Sequence, residues 1–256
     1  MKTPHLTKDN NNKKTFSYAV ISDIHGNLEA LKAVLEAISR ENVDAVFCLG
    51  DLVGYGPNPN ECIEIVREQS QIVIAGNHDW AAIGYTETDY FNIYAKVAIM
   101  WTSQTLTQEN HEFLEKVPLL KRLNEESIFL VHATPKDPEQ WHYILNYYEA
   151  EENFEYLPDR FCLIGHSHVP VIMEKNSSGK INAYRGRLFF KDDCSYIINV
   201  GSVGQPRDGN PLASYGLLHH DRIEIKRVPY DIGKTQEKMR DAELPEYLVE
   251  RLAVGR

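Results

Sequence analysis

Asp23-Ile24-His25-Gly26-Asn27, Gly50-Asp51, Gly76-Asn77-His78-Asp79, His132 and Gly165-His166-Ser167-His168 form five short polar signatures, each directly after an apolar run. Carboxylate, amide and imidazole groups are ligands for divalent first-row metals. Several of them converging would build a two-metal hydrolytic centre, in which bound ions activate water and absorb charge on a phosphate. Asp23 and His25 stand two apart, as do His166 and His168. In extended chain, residues i and i+2 point to the same side, so Asp23 and His25 are expected to reach one ion, and His166 and His168 to repeat that geometry. Gly26, Gly50, Gly76 and Gly165 flank them, where the backbone must turn sharply or pass close to an ion. Taken singly the signatures are bland. An Asp-x-His after a strand is usually a turn, and Asn-His-Asp usually a loop with an Asx-type bond. Strands that empty repeatedly into acid, amide or imidazole are not explained by packing.

The elements that must position these residues follow from periodicity. Tyr18-Ala19-Val20-Ile21, Val46-Phe47-Cys48-Leu49 and Ile72-Val73-Ile74-Ala75 are apolar runs of strand length. Leu28, Leu31, Leu35 and Ile38 lie at helical spacing, and a second helix is expected near Cys62 to Val66, after Pro57 and Pro59. This β-α-β-α-β rhythm predicts parallel strands with right-handed crossovers. Ligands bind at the carboxyl ends of such strands, where Asp23, Asp51, Asn77 and His132 stand. Trp80 to about Glu115 is helical in pattern and stopped by Pro118. Further strands are expected at Ile128–Val131, Phe161–Ile164, Val171–Glu174 and Tyr196–Val200. Hairpin turns are expected at Ser177–Lys180 and around His220-Asp221, and a helix at Pro245–Leu252. The polar stretch 1–15 reads as a mobile tail, and 16–256 as a single domain.

Bulk composition narrows the partners. The chain has 256 residues, 43% of them hydrophobic, enough for one large core. A net charge of −10 gives no basic footprint and argues against duplex nucleic acid as a partner. It leaves phosphate esters open, because bound cations invert the local field. Cys48, Cys62, Cys162 and Cys194 lack close pairing and read as reduced, with Cys48 and Cys162 in the core. No apolar stretch approaches the roughly 20 residues of a membrane span, so no membrane partner is expected and the cytoplasm is the expected address. Whether the chain forms homo-oligomers stays open.

The ordered series Asp-x-His-Gly-Asn, Gly-Asp, Gly-Asn-His-Asp, His-Ala-x-Pro and Gly-His-x-His resembles the calcineurin-like metallophosphoesterase superfamily. Gly54-Tyr55-Gly56-Pro57 and Asn199 to Arg207 are similar to its small bacterial and archaeal phosphoesterases, phosphodiesterase-type members included. The resemblance implies an α+β fold, a four-layer α/β/β/α sandwich of two packed mixed β-sheets flanked by helices. It implies that Asp23, His25 and His168 hold one divalent ion, that Asn77, His132 and His166 hold a second, and that Asp51 bridges both. Mn²⁺ is favoured, with Fe²⁺, Zn²⁺, Co²⁺ and Ni²⁺ open. His78 would be the catalytic group beside Asp51, donating to the phosphate or the leaving oxygen, and a hydroxide bridging the ions would attack in line. Arg207 and Asn27 are the candidate substrate-binding residues.

One departure bears on substrate class. Ser/Thr protein phosphatases of the superfamily read Gly-Asp-x-x-Asp-Arg-Gly, where this chain reads Gly50-Asp51-Leu52-Val53-Gly54-Tyr55-Gly56. The acid that orients their catalytic histidine is Gly54 here, with Asp79 or a backbone carbonyl as candidate substitutes. Their phosphate-clamping Arg is Tyr55. The expected function is therefore two-metal hydrolysis of phosphate esters, phosphodiesters ahead of phosphomonoesters. The alternatives are a phosphomonoesterase or protein phosphatase on the same site, or a non-catalytic metal-binding scaffold. The aromatic segments 80–101 and 141–148 read as a packed helical face or a lid, and as a substrate contact or a dimer patch. His5, His111, His142, His219 and His220 have no ligand context.

Overall fold

The computed structural model describes residues 7–8, 14–89 and 91–256. Most of the expected tail at 1–15, His5 with it, lies outside the described residues. Its described parts, Thr7–Lys8 (β1) and Lys14–Thr15 (β2), pair antiparallel. Two six-stranded mixed sheets follow. In the first, Ser17–Ile21 (β3), Ala45–Cys48 (β4) and Ile72–Val73 (β5) run parallel. Ala213–His219 (β13), Arg222–Val228 (β14) and Arg187–Phe189 (β11) extend it antiparallel on the β3 side. In the second, Ile128–Val131 (β7), Phe161–Ile164 (β8) and Ser195–Asn199 (β12) run parallel. Leu120–Leu123 (β6) pairs antiparallel at one edge, and Val171–Lys175 (β9) then Ile181–Tyr184 (β10) at the other.

Side-chain alternation shows why the sheets stack. Tyr18 and Val20 of β3, with Phe47 of β4, pack against Ile128 and Leu130 of β7 and Leu163 of β8 in a core between the sheets. The intervening residues face outwards. Ala19, Ile21, Val46 and Cys48 meet Leu28–Ile38 (α1) and Pro59–Gln69 (α2). Phe129, Val131, Cys162 and Ile164 meet Tyr147–Phe154 (α6). Strands buried on both faces carry continuous apolar runs, which is how they read in sequence. Helix ends are set locally: Asn27 Oδ1 accepts from Ala30 N at α1, and Asn146 with Glu149 forms a capping box at α6, each cap contributing about 1 kcal/mol. The result is the four-layer α/β/β/α sandwich. All four cysteines are free and buried.

The segment Trp80 to Glu115 is less continuous than its pattern. It divides into Asn77–Ala82 (α3), Ile93–Thr105 (α4) and Gln108–Lys116 (α5). Ile232–Asp241 (α7) and Glu246–Leu252 (α8) close the chain. α7 has no sequence-level counterpart because it buries only Thr235 and Met239, too few for a periodic signal. β6 is an edge strand carrying Lys121 and Arg122, and charge on an edge strand hides it from an apolar template.

Candidate metal centre and adjoining cavity

The five signatures meet at the carboxyl ends of β3, β4, β5, β7 and β8. Asp23, His25, Asp51 and His168 offer ligand atoms within 4.8 Å of one another, and Asp51, His132 and His166 form a second such group. Asp51 belongs to both. Its Oδ2 lies 3.5 Å from His25 Nε2 and 3.3 Å from His132 Nε2, while Oδ1 accepts from His78 N at 2.9 Å. Every one of these side chains is buried, as are Asn77 and His78.

The pairs do not meet by extended-strand alternation. Asp23, His25, Asp51, His166 and His168 have φ of 53°, 50°, 53°, 65° and 59°. Left-handed backbone costs a non-glycine residue about 1–3 kcal/mol and persists only where the surroundings over-determine it. Asp23 and His25 still come together, Oδ1 to Nε2 3.9 Å, but through left-handed turns. His166 and His168 join different groups. The loops are held by continued pairing: Asp23 N donates to Gly50 O at 3.0 Å, His25 N to Asp51 O at 2.9 Å, and Gly26 N to Leu52 O at 2.9 Å. His166 N donates to both Asp23 oxygens, at 3.1 and 3.0 Å. Gly76 is required because a Cβ there would fall 2.1 Å from Asp51 Oδ1.

The imidazoles are oriented from behind. His25 Nδ1 lies 2.9 Å from Val53 O, His132 Nδ1 2.7 Å from Leu49 O, His168 Nδ1 2.6 Å from Gln205 O, and His166 Nε2 2.9 Å from Trp141 O. A carbonyl only accepts, so each of these nitrogens carries the proton and the other ring nitrogen is free to face the cluster. This is the arrangement around metal-ligating histidines. It sets His25 Nε2 and His168 Nε2 3.1 Å apart with lone pairs opposed, a contact that a cation relieves. Among the described residues Asn77 Oδ1 is buried without a hydrogen-bond partner, a state costing about 1–3 kcal/mol unless something binds it, and His132 Nε2 meets the Asp51 carboxylate 3.3 Å away. Two carboxylates, one amide and four imidazoles fit a pair of divalent cations.

Charge coupling among these side chains is strong. Burial opposes ionisation of Asp51, yet His132, then His78 and His25, hold it well below the usual carboxylate range. Asp23 is lowered against its burial by His168 and His132. Burial likewise opposes a charged His132, but Asp51 outweighs it and pushes the ring up to about 9. Burial lowers His25 and His168, and takes His166 down to about 3.

A cavity of about 360 Å³ opens beside the cluster, bordered by Asn77, His78, His166 and Arg207. His78 is lowered to about 4, first by burial. Arg207 donates to Gln205 Oε1 through Nε at 3.2 Å and Nη2 at 2.7 Å, and its guanidinium sits 5.5 Å from the Tyr55 ring centroid. Asn27 has a different place from the one expected. Its Oδ1 accepts from Ala30 N and Thr235 Oγ1, and its Nδ2 donates to Gly204 O, so the amide ties α1 to α7 and the Gly204 loop. Asp79 does not orient His78. Its oxygens accept from Leu52 N, Val53 N and Gly76 N, and burial, with Asp51, raises it to about 7. Among the described residues no carbonyl replaces it, since His78 Nδ1 has no partner there.

The aromatic segments divide. Tyr143 stacks on His166 with centroids 4.1 Å apart, and Trp141 supplies the carbonyl behind that ring. Phe91 packs 4.8 Å from His78. These were legible only as aromatic clusters, because a carbonyl contact leaves no mark in sequence. Tyr94 stacks on Tyr247 at 4.6 Å, and Tyr90 lies outside the described residues. His111, His142, His219 and His220 join neither ligand group.

Comparison with known proteins identifies the family. The model of the calcineurin-like phosphoesterase superfamily domain matches residues 16–222. A metallophosphoesterase from Sphaerobacter thermophilus has a similar structure over 94% of this chain and 100% of its own, with a TM-score of 0.82 and 41% identity. An uncharacterised protein of Methanocaldococcus jannaschii is 44% identical over 242 residues, 93% of this chain and 98% of its own. Phosphodiesterase YfcE of Escherichia coli is 28% identical over 215 residues, 80% of this chain and 88% of its own. The chain belongs to the calcineurin-like phosphoesterase superfamily and is a metal-dependent hydrolase of phosphoric esters.

Proposed function

We propose that residues 16–256 form one metallophosphoesterase domain that cleaves phosphodiesters in preference to phosphomonoesters with two divalent cations, Mn²⁺ foremost. The observation that carries the two-metal reading is Asp51 Oδ2, set between His25 of one group and His132 of the other. Asp23, His25 and His168 would hold one ion, Asn77, His132 and His166 the other, and Asp51 both. Bound there, the ions supply a water activated near neutral pH and positive charge for the phosphoryl oxygens.

The chain's own residues do the rest. An O–P bond forms from water while the ester P–O bond breaks in line. Water gives up a proton, the leaving oxygen takes one, and a diester yields a monoester and an alcohol. His78 borders the cavity without joining either ligand group, so its ring N–H would donate a hydrogen bond to the phosphate or to the leaving oxygen. Arg207 would meet a non-bridging oxygen.

Charge favours the diester. Two divalent cations against two carboxylates leave about +2, and the hydroxide that attacks lowers this to about +1, which a diester balances and a monoester exceeds. A diester brings one negative charge and a monoester nearly two. Tyr55 stands where the protein-phosphatase pattern has an Arg, and among the described lining residues Arg207 is the cation. The name of the Escherichia coli relative supports the same reading. Hydrolysis of bis(p-nitrophenyl) phosphate and p-nitrophenyl phosphate at saturating Mn²⁺ tests it, with higher kcat/KM expected for the diester. A monoester preference of about tenfold or more reverses the substrate class. Metal uptake without turnover of either substrate supports a scaffold instead.

A further inference from the structure

Hydrolysis alone does not account for the aromatic wall of the cavity. Phe91, Trp141 and Tyr143 line it and come from separate segments, the first between α3 and α4, the others after the 3-10 turn Pro138–Gln140. Trp141 has φ 54°, a left-handed conformation that a bulky residue rarely adopts. Its carbonyl faces His166 Nε2, so the turn that orients a candidate metal ligand also brings two rings to the cavity. Tyr143 lies against His166 and Phe91 against His78, so the wall begins where the phosphate would sit. Tyr143 is nonetheless 44% exposed, an apolar ring left in water beside the site. Gln140 places an amide in the same lining, and Asn92, whose Oδ1 caps α4, places its Nδ2 there, groups suited to the polar edge of a ring. Glu87 and Glu139 also line the cavity and are exposed, two carboxylates against the one guanidinium of Arg207.

We propose that one group esterified to the phosphate is a flat aromatic ring system stacked on this wall, and that Phe91 and Tyr143 are specificity-determining residues for it. This rests on the diesterase reading above. A volume of about 360 Å³ falls at the small end of the roughly 300–1,000 Å³ of ligand pockets, which suits a single ring-bearing alcohol rather than a polymer. The two carboxylates disfavour any further phosphate, so a ring-bearing polyphosphate is a poor substrate. An aromatic wall accepts either a heterocyclic base or a plain aryl ring, because both present a π-face.

Matched dialkyl diesters test the proposal, since they differ in the ring and not in intrinsic reactivity. The methyl esters of uridine 5′-phosphate and of ribose 5-phosphate form one pair; 2-phenylethyl methyl phosphate and butyl methyl phosphate form the other. Turnover is followed by phosphorus NMR with saturating Mn²⁺. The ring-bearing member of at least one pair should show kcat/KM higher by about 5- to 100-fold. Preference within the uridine pair alone identifies a heterocycle, and preference in both pairs identifies any flat ring. Phe91→Ala and Tyr143→Ala should bring the ratio towards one, and Tyr143→Phe should retain it. Mn²⁺ content measured for each variant separates loss of stacking from a loosened His166. Product inhibition by uridine 5′-monophosphate should exceed that by ribose 5-phosphate. The methyl ester of uridine 5′-diphosphate should be cleaved more slowly than the monophosphate ester. Equal kcat/KM within both pairs overturns the proposal while leaving the diesterase reading intact. Turnover of none of these diesters, in protein that still hydrolyses a phosphomonoester, overturns both.

Discussion

A Cβ on Gly54 would stand 2.5 Å from His78 Nδ1. Gly54 has φ 86°, and the ring nitrogen it faces is buried without a hydrogen-bond partner among the described residues. His78 is held by packing instead, with ring centroids of Tyr55 at 4.5 Å, His25 at 4.8 Å and Phe91 at 4.8 Å. The acid of the protein-phosphatase pattern therefore has neither the room nor the backbone conformation to be restored here. Gly54→Asp should lower kcat by at least about tenfold and destabilise the fold by about 1–3 kcal/mol, with Mn²⁺ content unchanged. A gain in rate, with thermal melting unaltered, would show that this backbone tolerates the acid.

His78→Ala should keep both metals and lose rate. A positioned proton donor typically contributes about 10²- to 10⁴-fold. The loss should shrink for a diester with a p-nitrophenol leaving group, which needs little protonation. Equal losses for good and poor leaving groups would assign His78 to phosphoryl charge, and loss of metal would make it a ligand.

Asp51→Asn removes the carboxylate shared by both groups. Even outer partners of metal ligands typically contribute about 10–100-fold, so activity should fall by at least about a hundredfold, together with metal content. Elemental analysis and steady-state rates on the same preparation check this. Full occupancy with near-normal turnover would remove Asp51 from its bridging place.

The strands were legible because both faces of β3, β4, β7 and β8 are buried, leaving unbroken apolar runs that end in polar residues. The convergence of Asp23, His25, Asp51, His132, His166 and His168 was legible for the same reason: strand ends on one side of a sandwich meet. The left-handed backbone of Asp23, His25, Asp51, His166 and His168 was not, since nothing in Asp or His demands positive φ, and the turns are fixed by carbonyls and amides of distant loops. Asn27 shows the opposite limit. A polar residue beside a ligand motif looks like a substrate contact, yet its position at the start of α1 made it a cap.

Metal uptake should depend on pH through His132. In metal-free protein this ring is raised from 6.5 to about 9 by Asp51, against its burial. A raised histidine stabilises the fold fully below its unfolded pKa of about 6.5, and that contribution is lost as pH rises through 9. Asp79, raised to about 7, adds a loss of the same sign at lower pH, between about 4 and 7. Between pH 7 and 9 the thermal stability of metal-free protein should therefore fall. A ligand must be deprotonated, so Mn²⁺ binding at pH 7.5 should release about one proton from His132 and tighten towards pH 9. Calorimetry in buffers of different ionisation enthalpy measures that proton. A binding enthalpy independent of buffer would mean that His132 is already neutral or is not a ligand.

Arg207→Ala separates binding from chemistry. The guanidinium is fixed over Tyr55 and by Gln205, so it is in place before substrate arrives. A contact to a non-bridging phosphate oxygen is made in ground and transition states alike, and its loss raises KM more than it lowers kcat. A charge-assisted hydrogen bond of about 1.5–3 kcal/mol corresponds to a KM increase of roughly 10- to 100-fold for an aryl phosphodiester. Arg207→Lys should recover only part of this, because an ammonium lacks the planar fork that Gln205 orients. A variant whose kcat collapses at unchanged KM would place Arg207 on the transition state alone. One with neither parameter altered would leave it a structural partner of Tyr55.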